Sequence, residues 1–117
     1  MTAVCEMCVQ QFNNRYNIHR PETVESLFYM YRLTKDPIYR TWGWNIFQAF
    51  EKHTKLAEGY ASVSDVLLPR HTDKMETFYL AETLKYLYLL FGDDFNVLHL
   101  NDYVFNTEAH PLPVYNS

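Results

Sequence analysis

Residues 20–50, RPETVESLFYMYRLTKDPIYRTWGWNIFQAF, contain two helical periods separated by a four-residue stop, and they set the fold class of the whole chain. Pro21 has a fixed φ and no N–H, so it suits the first turn of a helix, where the early amides lack intrahelical partners. Val24, Leu27, Phe28 and Tyr31 then recur at helical spacing and define an apolar face. Glu22 and Glu25 fall in the first turn, where the helix dipole favours carboxylates, and their i, i+3 spacing makes them neighbours. That accounts for them as ordinary helix-start residues. At Thr34-Lys35-Asp36-Pro37 the pattern stops and restarts, with Asp36 as N-cap and Pro37 at the first helical position. A helical hairpin results. The second helix runs to about His53, with Ile38, Trp42, Ile46 and Phe50 in one stripe and Tyr39, Gly43 and Phe47 beside it. Gly43, between two tryptophans, predicts close approach of another helix.

Outward from the hairpin the pattern is weaker. Residues 1–14 read as a short helix with Val4, Cys8 and Phe12 on one stripe. Glu58 to Ser64 has a turn glycine and partial alternation, which reads as a short strand or ordered loop. A third helix is predicted from about Lys74 to Phe91, with Phe78, Ala81, Leu84, Tyr88 and Phe91 along its apolar face and Gly92 ending it. Glu82 lies mid-helix, and periodicity alone leaves open whether it points inward or to solvent. Asp93-Asp94 open an acidic loop. The segment from Tyr103 to Tyr115, with Pro111 and Pro113, is expected to be extended. The class is therefore all-α, built of helical hairpins, with one short strand or loop segment between helices.

The 117 residues have the length of one ordinary domain, and 48% hydrophobic content supplies a core. A net charge of −4 without a Lys/Arg cluster argues against a nucleic-acid partner. No apolar run approaches the roughly 20 residues of a membrane span, and no targeting signal is present. Cys5 and Cys8 form a C-x-x-C pair that fits a redox couple or half a zinc site, but no second pair follows, and buried helix-face thiols are the simpler reading. The chain has neither a G-x-S-x-G nucleophile elbow nor a phosphate-cradling glycine loop. What remains is a set of carboxylates and oxygen donors, Glu22, Glu25, Glu82 and the cluster Asn106-Thr107-Glu108. Such donors suit acid–base work on a glycosidic bond or a hard cation, although polar loops often contain them without function.

The stretches RPETVESLFYMYRLTKDPIYRTWGWNIFQAFEKHT, GYASVSDV, DKMETFYLAETLKYLYLLFGDD and YVFNTEAHPLP, taken together, resemble the C-terminal part of the class I α-1,2-mannosidases of glycoside hydrolase family 47. The likeness is strongest over residues 20–113. It implies an (α/α)7 barrel of helical hairpins of which this chain, residues 1–117, is a C-terminal portion. It also implies a calcium-dependent, inverting hydrolysis of terminal α-1,2-linked mannose on high-mannose N-glycans, in the lumen of the endoplasmic reticulum or Golgi. By the same resemblance Glu22 is the general base, Thr107 binds Ca2+ through its carbonyl and hydroxyl, and Arg20, Glu25, Phe78, Glu82 and Glu108 line the sugar pocket. Glu82 is then expected to point inward. The family domain is several times longer and holds the general acid elsewhere, so a fragment, inactive by itself, is expected. The rival expectation is a non-catalytic helical module that uses its aromatic faces for protein contacts.

Overall fold

The computed structural model describes residues 15–115, so the helix expected over residues 1–14, with Cys5 and Cys8, lies outside the described part. Helix α1 spans Glu22–Thr34 and α2 spans Ile38–His53. A π-helical segment, Tyr79–Leu84, leads directly into α3, Lys85–Phe91. Two short strands, β1 (Tyr103–Phe105) and β2 (Pro111–Pro113), pair antiparallel with Val104 opposite Leu112. The expected hairpin is present. The extended C-terminal segment is also as predicted, and its pairing into a β-hairpin is added by the structure.

The connection between α1 and α2 shows why the chain reverses there. Lys35 adopts a left-handed conformation and its N–H reaches back to the Tyr31 carbonyl, closing α1. Asp36 Oδ1 accepts the Ile38 N–H at 2.9 Å, so Asp36 caps α2 while Pro37 already has helical dihedrals. Along α1, Val24, Leu27 and Phe28 are buried as the spacing predicted, and Arg32 extends the same face.

In α2 the buried face is narrower than the sequence suggests. Gly43 and Phe50 are buried, whereas Ile38 and Trp42 are substantially exposed. The close approach predicted at Gly43 is found: a β-carbon there would collide with Cδ2 of Leu90, which is itself fully buried. Gly43→Ala is therefore expected to overpack the α2–α3 contact. The net loss should be about 1–2 kcal/mol after a helix-propensity gain of about 1 kcal/mol, read as a lower denaturant midpoint. A midpoint equal to or above that of the parent would show that Leu90 can yield.

The third helical region departs most from expectation. It does not begin at Lys74, because the Lys74 carbonyl accepts the Ser62 N–H at 2.8 Å, which ties that residue to the 60–64 loop. The stripe predicted to be apolar contains exposed Ala81 and Tyr88. The buried side carries Tyr79, Glu82, Thr83, Tyr86, Leu87, Leu89 and Leu90 instead. Hydropathy periodicity scores against a face that includes a glutamate and a threonine, so it selected the wrong stripe.

The core lies where α1, α3 and the β-hairpin meet. Val24, Leu27, Phe28, Tyr86, Leu87, Leu89, Leu90 and Ala109 form one buried cluster. The Phe28 ring packs 5.7 Å from both Tyr86 and Phe105, which fastens β1 to the helices. This contact fixes where the tight turn between β1 and β2 sits.

Candidate functional site

Glu82 is 7% exposed and belongs to the π-helical segment, a local widening that often marks functional positions. Its inward orientation is the one expected from the resemblance. Burial is the main reason its carboxyl is pushed above the ordinary glutamate range, and the nearby carboxylates of Glu108, Glu22 and Glu25 push it further in the same direction. Lys85, one α-helical turn along, opposes them. Glu82 thus shares one electrostatic neighbourhood with the two first-turn glutamates of α1 and with the β1–β2 turn.

Glu22 and Arg20 form an exposed ion pair, 3.8 Å apart. Glu25 is half-buried. The Tyr86 hydroxyl is driven well above the usual tyrosine range by burial and by the adjacent Glu25 carboxylate. Tyr29 is shifted upward by the same two causes in the same order. Both phenols therefore stay protonated; the Tyr86 hydroxyl is hydrogen-bonded to Glu25, whereas the Tyr29 hydroxyl bonds the Phe105 backbone.

The turn that carries Thr107 and Glu108 is held from both sides. Asn106 Oδ1 accepts the Glu108 and His110 N–H groups at 3.0 and 2.9 Å, the Asx arrangement that a short polar turn favours. Ala109 is fully buried with φ 56°, and its carbonyl accepts Lys85 Nζ at 2.9 Å. Lys85 consequently ties the turn to the helix that begins just beyond Glu82. Thr107 and Glu108 are exposed at the tip. Phe78 is half-buried and immediately precedes the π-helical segment.

The structure therefore brings Glu22, Glu25, Glu82 and Glu108 together, with Thr107 next to Glu108 on the anchored turn and Arg20 paired to Glu22. Sequence reasoning missed Lys85 and Tyr86. The i, i+3 spacing of Glu82 and Lys85 was the available signal for the first, and nothing in the sequence marked the second. Among the described residues no group of three His, Cys, Asp or Glu side chains is placed to hold a metal ion. Thr107 itself offers a hydroxyl and a carbonyl oxygen and is open to solvent. That chemistry fits a hard cation held by threonine oxygens and water, with carboxylates beyond.

The raised proton affinity of Glu82 has a stability consequence. The folded state holds this proton more tightly than the unfolded chain does, so its favourable contribution is complete below the unfolded glutamate range and is lost as pH rises through the higher folded value. Glu82→Gln is therefore expected to raise the melting temperature at about pH 7, with the two melting curves converging below about pH 4. A Gln variant less stable at neutral pH would mean that the carboxylate is stabilised in place.

The sequence model described as Glycosyl hydrolase family 47 matches residues 4–114. A mannosyl-oligosaccharide 1,2-alpha-mannosidase from Arabidopsis thaliana is 64% identical over 104 residues, which cover 86% of this chain and 16% of that protein. The endoplasmic reticulum mannosyl-oligosaccharide 1,2-alpha-mannosidase of Homo sapiens is 57% identical over 106 residues, covering 87% of this chain and 15% of its own length. Among solved structures, the alpha-1,2-mannosidase from Trichoderma reesei superposes with a TM-score of 0.80 at 38% identity, covering 86% of this chain and 22% of that one. The helical-hairpin architecture is thus that of part of an (α/α)7 barrel, as expected. The chain spans about one sixth of the length of these curated relatives.

Proposed function

Because the chain belongs to glycosyl hydrolase family 47, we propose that it supplies one side of the active pocket of a calcium-dependent, inverting α-1,2-mannosidase that trims terminal α-1,2-linked mannose from high-mannose N-glycans in the secretory pathway. The observation that carries this reading is the convergence of Glu22, Glu25 and Glu108 on the buried Glu82. A scaffold that uses only apolar faces gives no reason for four carboxylates to be gathered at one place, where mutual repulsion works against the fold.

In this reading Glu22 is the general base. It is exposed, so it is accessible to water and substrate, and it receives the proton of the attacking water. Glu82, Glu25 and Glu108 orient sugar hydroxyls, with Tyr86 holding Glu25 in place. Arg20 positions Glu22 and the glycan. Phe78 offers an apolar ring to a sugar face. Thr107 would hold Ca2+ through its carbonyl and hydroxyl on the fixed turn, and the cation, when bound, would supply positive charge that orients water and sugar oxygens. The general acid required for single displacement would come from outside this chain.

The test uses the complete protein that carries this sequence. It is expected to release mannose from a mannose-α-1,2-mannose disaccharide with the β-anomer formed first, as proton NMR reads it, and to leave α-1,3- and α-1,6-linked disaccharides intact. Release with retained configuration, or no release, would reject the reading.

A further inference from the structure

The geometry points to Thr83 as a positioning residue that sets where the α1 carboxylates stand relative to Glu82. This inference rests on the proposed role of Glu22 and Glu82 in one sugar pocket. Thr83 is fully buried, and its hydroxyl donates to the His19 carbonyl at 2.5 Å, across 64 residues of sequence. Helical threonines ordinarily turn that hydroxyl back on their own helix. Thr34, Thr41 and Thr54 do so here, each bonding the carbonyl four residues earlier. Thr83 reaches outward instead.

Its target is tightly constrained. His19 has φ 61°, a left-handed conformation unusual for a side-chain-bearing residue. The His19 N–H donates to Asn17 Oδ1 at 2.8 Å. Its ring is fully buried, 4.9 Å from Phe50 and 4.4 Å from Tyr79, and neither ring nitrogen has a hydrogen-bond partner among the described residues. The ring therefore contributes packing, and the backbone supplies the polar contact. Tyr79 and Thr83 both belong to the π-helical segment that carries Glu82. That segment grips His19 by its ring and by its carbonyl, and the next residues along the chain are Arg20, Pro21 and Glu22. Loss of the Thr83 bond frees the entry to α1 to move away from Glu82, without removing any group from the pocket.

The groups facing Glu82 are Glu22 and Glu25 from α1, Glu108 from the β1–β2 turn and Lys85 from α3. Thr83→Val keeps the shape and removes the hydroxyl, whereas Thr83→Ser keeps the hydroxyl. With carbon-13-labelled glutamate side chains in the complete protein, Thr83→Val is expected to move the Glu82 titration midpoint toward the ordinary glutamate range by about 0.5 pH unit or more, because the α1 carboxylates recede. Thr83→Ser should titrate like the parent. Asn17→Ala, which releases the other tether on His19, should shift Glu82 in the same direction by less, and it serves if the Val variant does not fold. In the complete protein, Thr83→Val should lower kcat/KM for the α-1,2-linked disaccharide at least about tenfold, and Ser should restore it. Unchanged Glu82 titration in the Val and Ala variants, or equal shifts in Val and Ser, overturns the positioning role. The reading of the activity fails separately. If the Glu82 shifts appear while the unmutated complete protein does not cleave the disaccharide, the sugar-pocket assignment falls and the tether stands.

Discussion

Glu22→Gln, made in the complete protein, is expected to lower kcat on the α-1,2-linked disaccharide by about 100- to 10,000-fold, the usual contribution of a positioned general base. Its KM and melting temperature should change little. The amide keeps the size and the hydrogen-bonding outline of the carboxylate but cannot accept the proton of an attacking water. Glu22 makes no buried contact that the substitution would break: its side chain is 67% exposed and its ion pair with Arg20 spans 3.8 Å at the surface. Such a pair contributes at most about 1 kcal/mol, and a first-turn carboxylate adds about 0.3–1 kcal/mol through the helix dipole. Any large loss of turnover is therefore chemical in origin. Glu25→Gln is the informative companion, since Glu25 is half-buried and bonded to Tyr86 and should affect substrate affinity more than kcat. Turnover unchanged in Glu22→Gln would move the base to another residue.

The α1–α2 hairpin was readable from local rules because its signals are strong and independent. A proline, an Asp-Pro restart and an apolar stripe all specify the same boundaries, and Asp36 caps the Ile38 amide as its position suggested. The third helical region was not readable in the same way. Its inward face mixes Tyr79, Glu82, Thr83 and Tyr86 with leucines, and a polar residue turned into a core is visible only once its partners are known. The widening of the helix at Tyr79–Leu84 likewise carries no signal in local propensity, and in the structure it coincides with the contact of Thr83 to the His19 carbonyl. For the site, Glu22, Glu25 and Thr107 could be singled out by position in a helix start or a polar turn. That Glu22, Glu25 and Glu108 lie near Glu82 goes with Phe105 packing against Phe28 and Lys85 reaching Ala109, contacts between residues far apart in sequence.

Arg32 gives the largest expected stability effect among the polar residues. It continues the Val24–Phe28 stripe at i+4, where sequence reading would place an apolar residue, and it is 7% exposed. Its guanidinium donates to the Phe95 carbonyl at 2.8 Å and to the Leu89 and Val97 carbonyls at 3.4 Å each. The last carbonyls of a helix have no intrahelical donors, and the negative end of its dipole favours a cation there. Arg32 therefore completes the end of α3 and binds the following turn in a single step. The charge also lies 5.3 and 5.2 Å from the ring centres of Phe28 and Phe95. Arg32→Ala removes the donors, leaves the buried Leu89 carbonyl and the part-buried Phe95 and Val97 carbonyls without this partner, and opens a cavity beside Phe28, so a loss of about 2–4 kcal/mol is expected in chemical unfolding. Arg32→Lys should recover less than half of it, because one ammonium cannot span three carbonyls. Arg40 supports the same region from α2, donating to the Leu90 and Gly92 carbonyls at 2.8 Å each, but it is more exposed, and Arg40→Ala should cost less. A loss below about 1 kcal/mol for Arg32→Ala would show that water replaces the guanidinium at the end of α3. The expected loss would instead make this buried cation the anchor at the far end of the helix that continues the π-helical segment carrying Glu82.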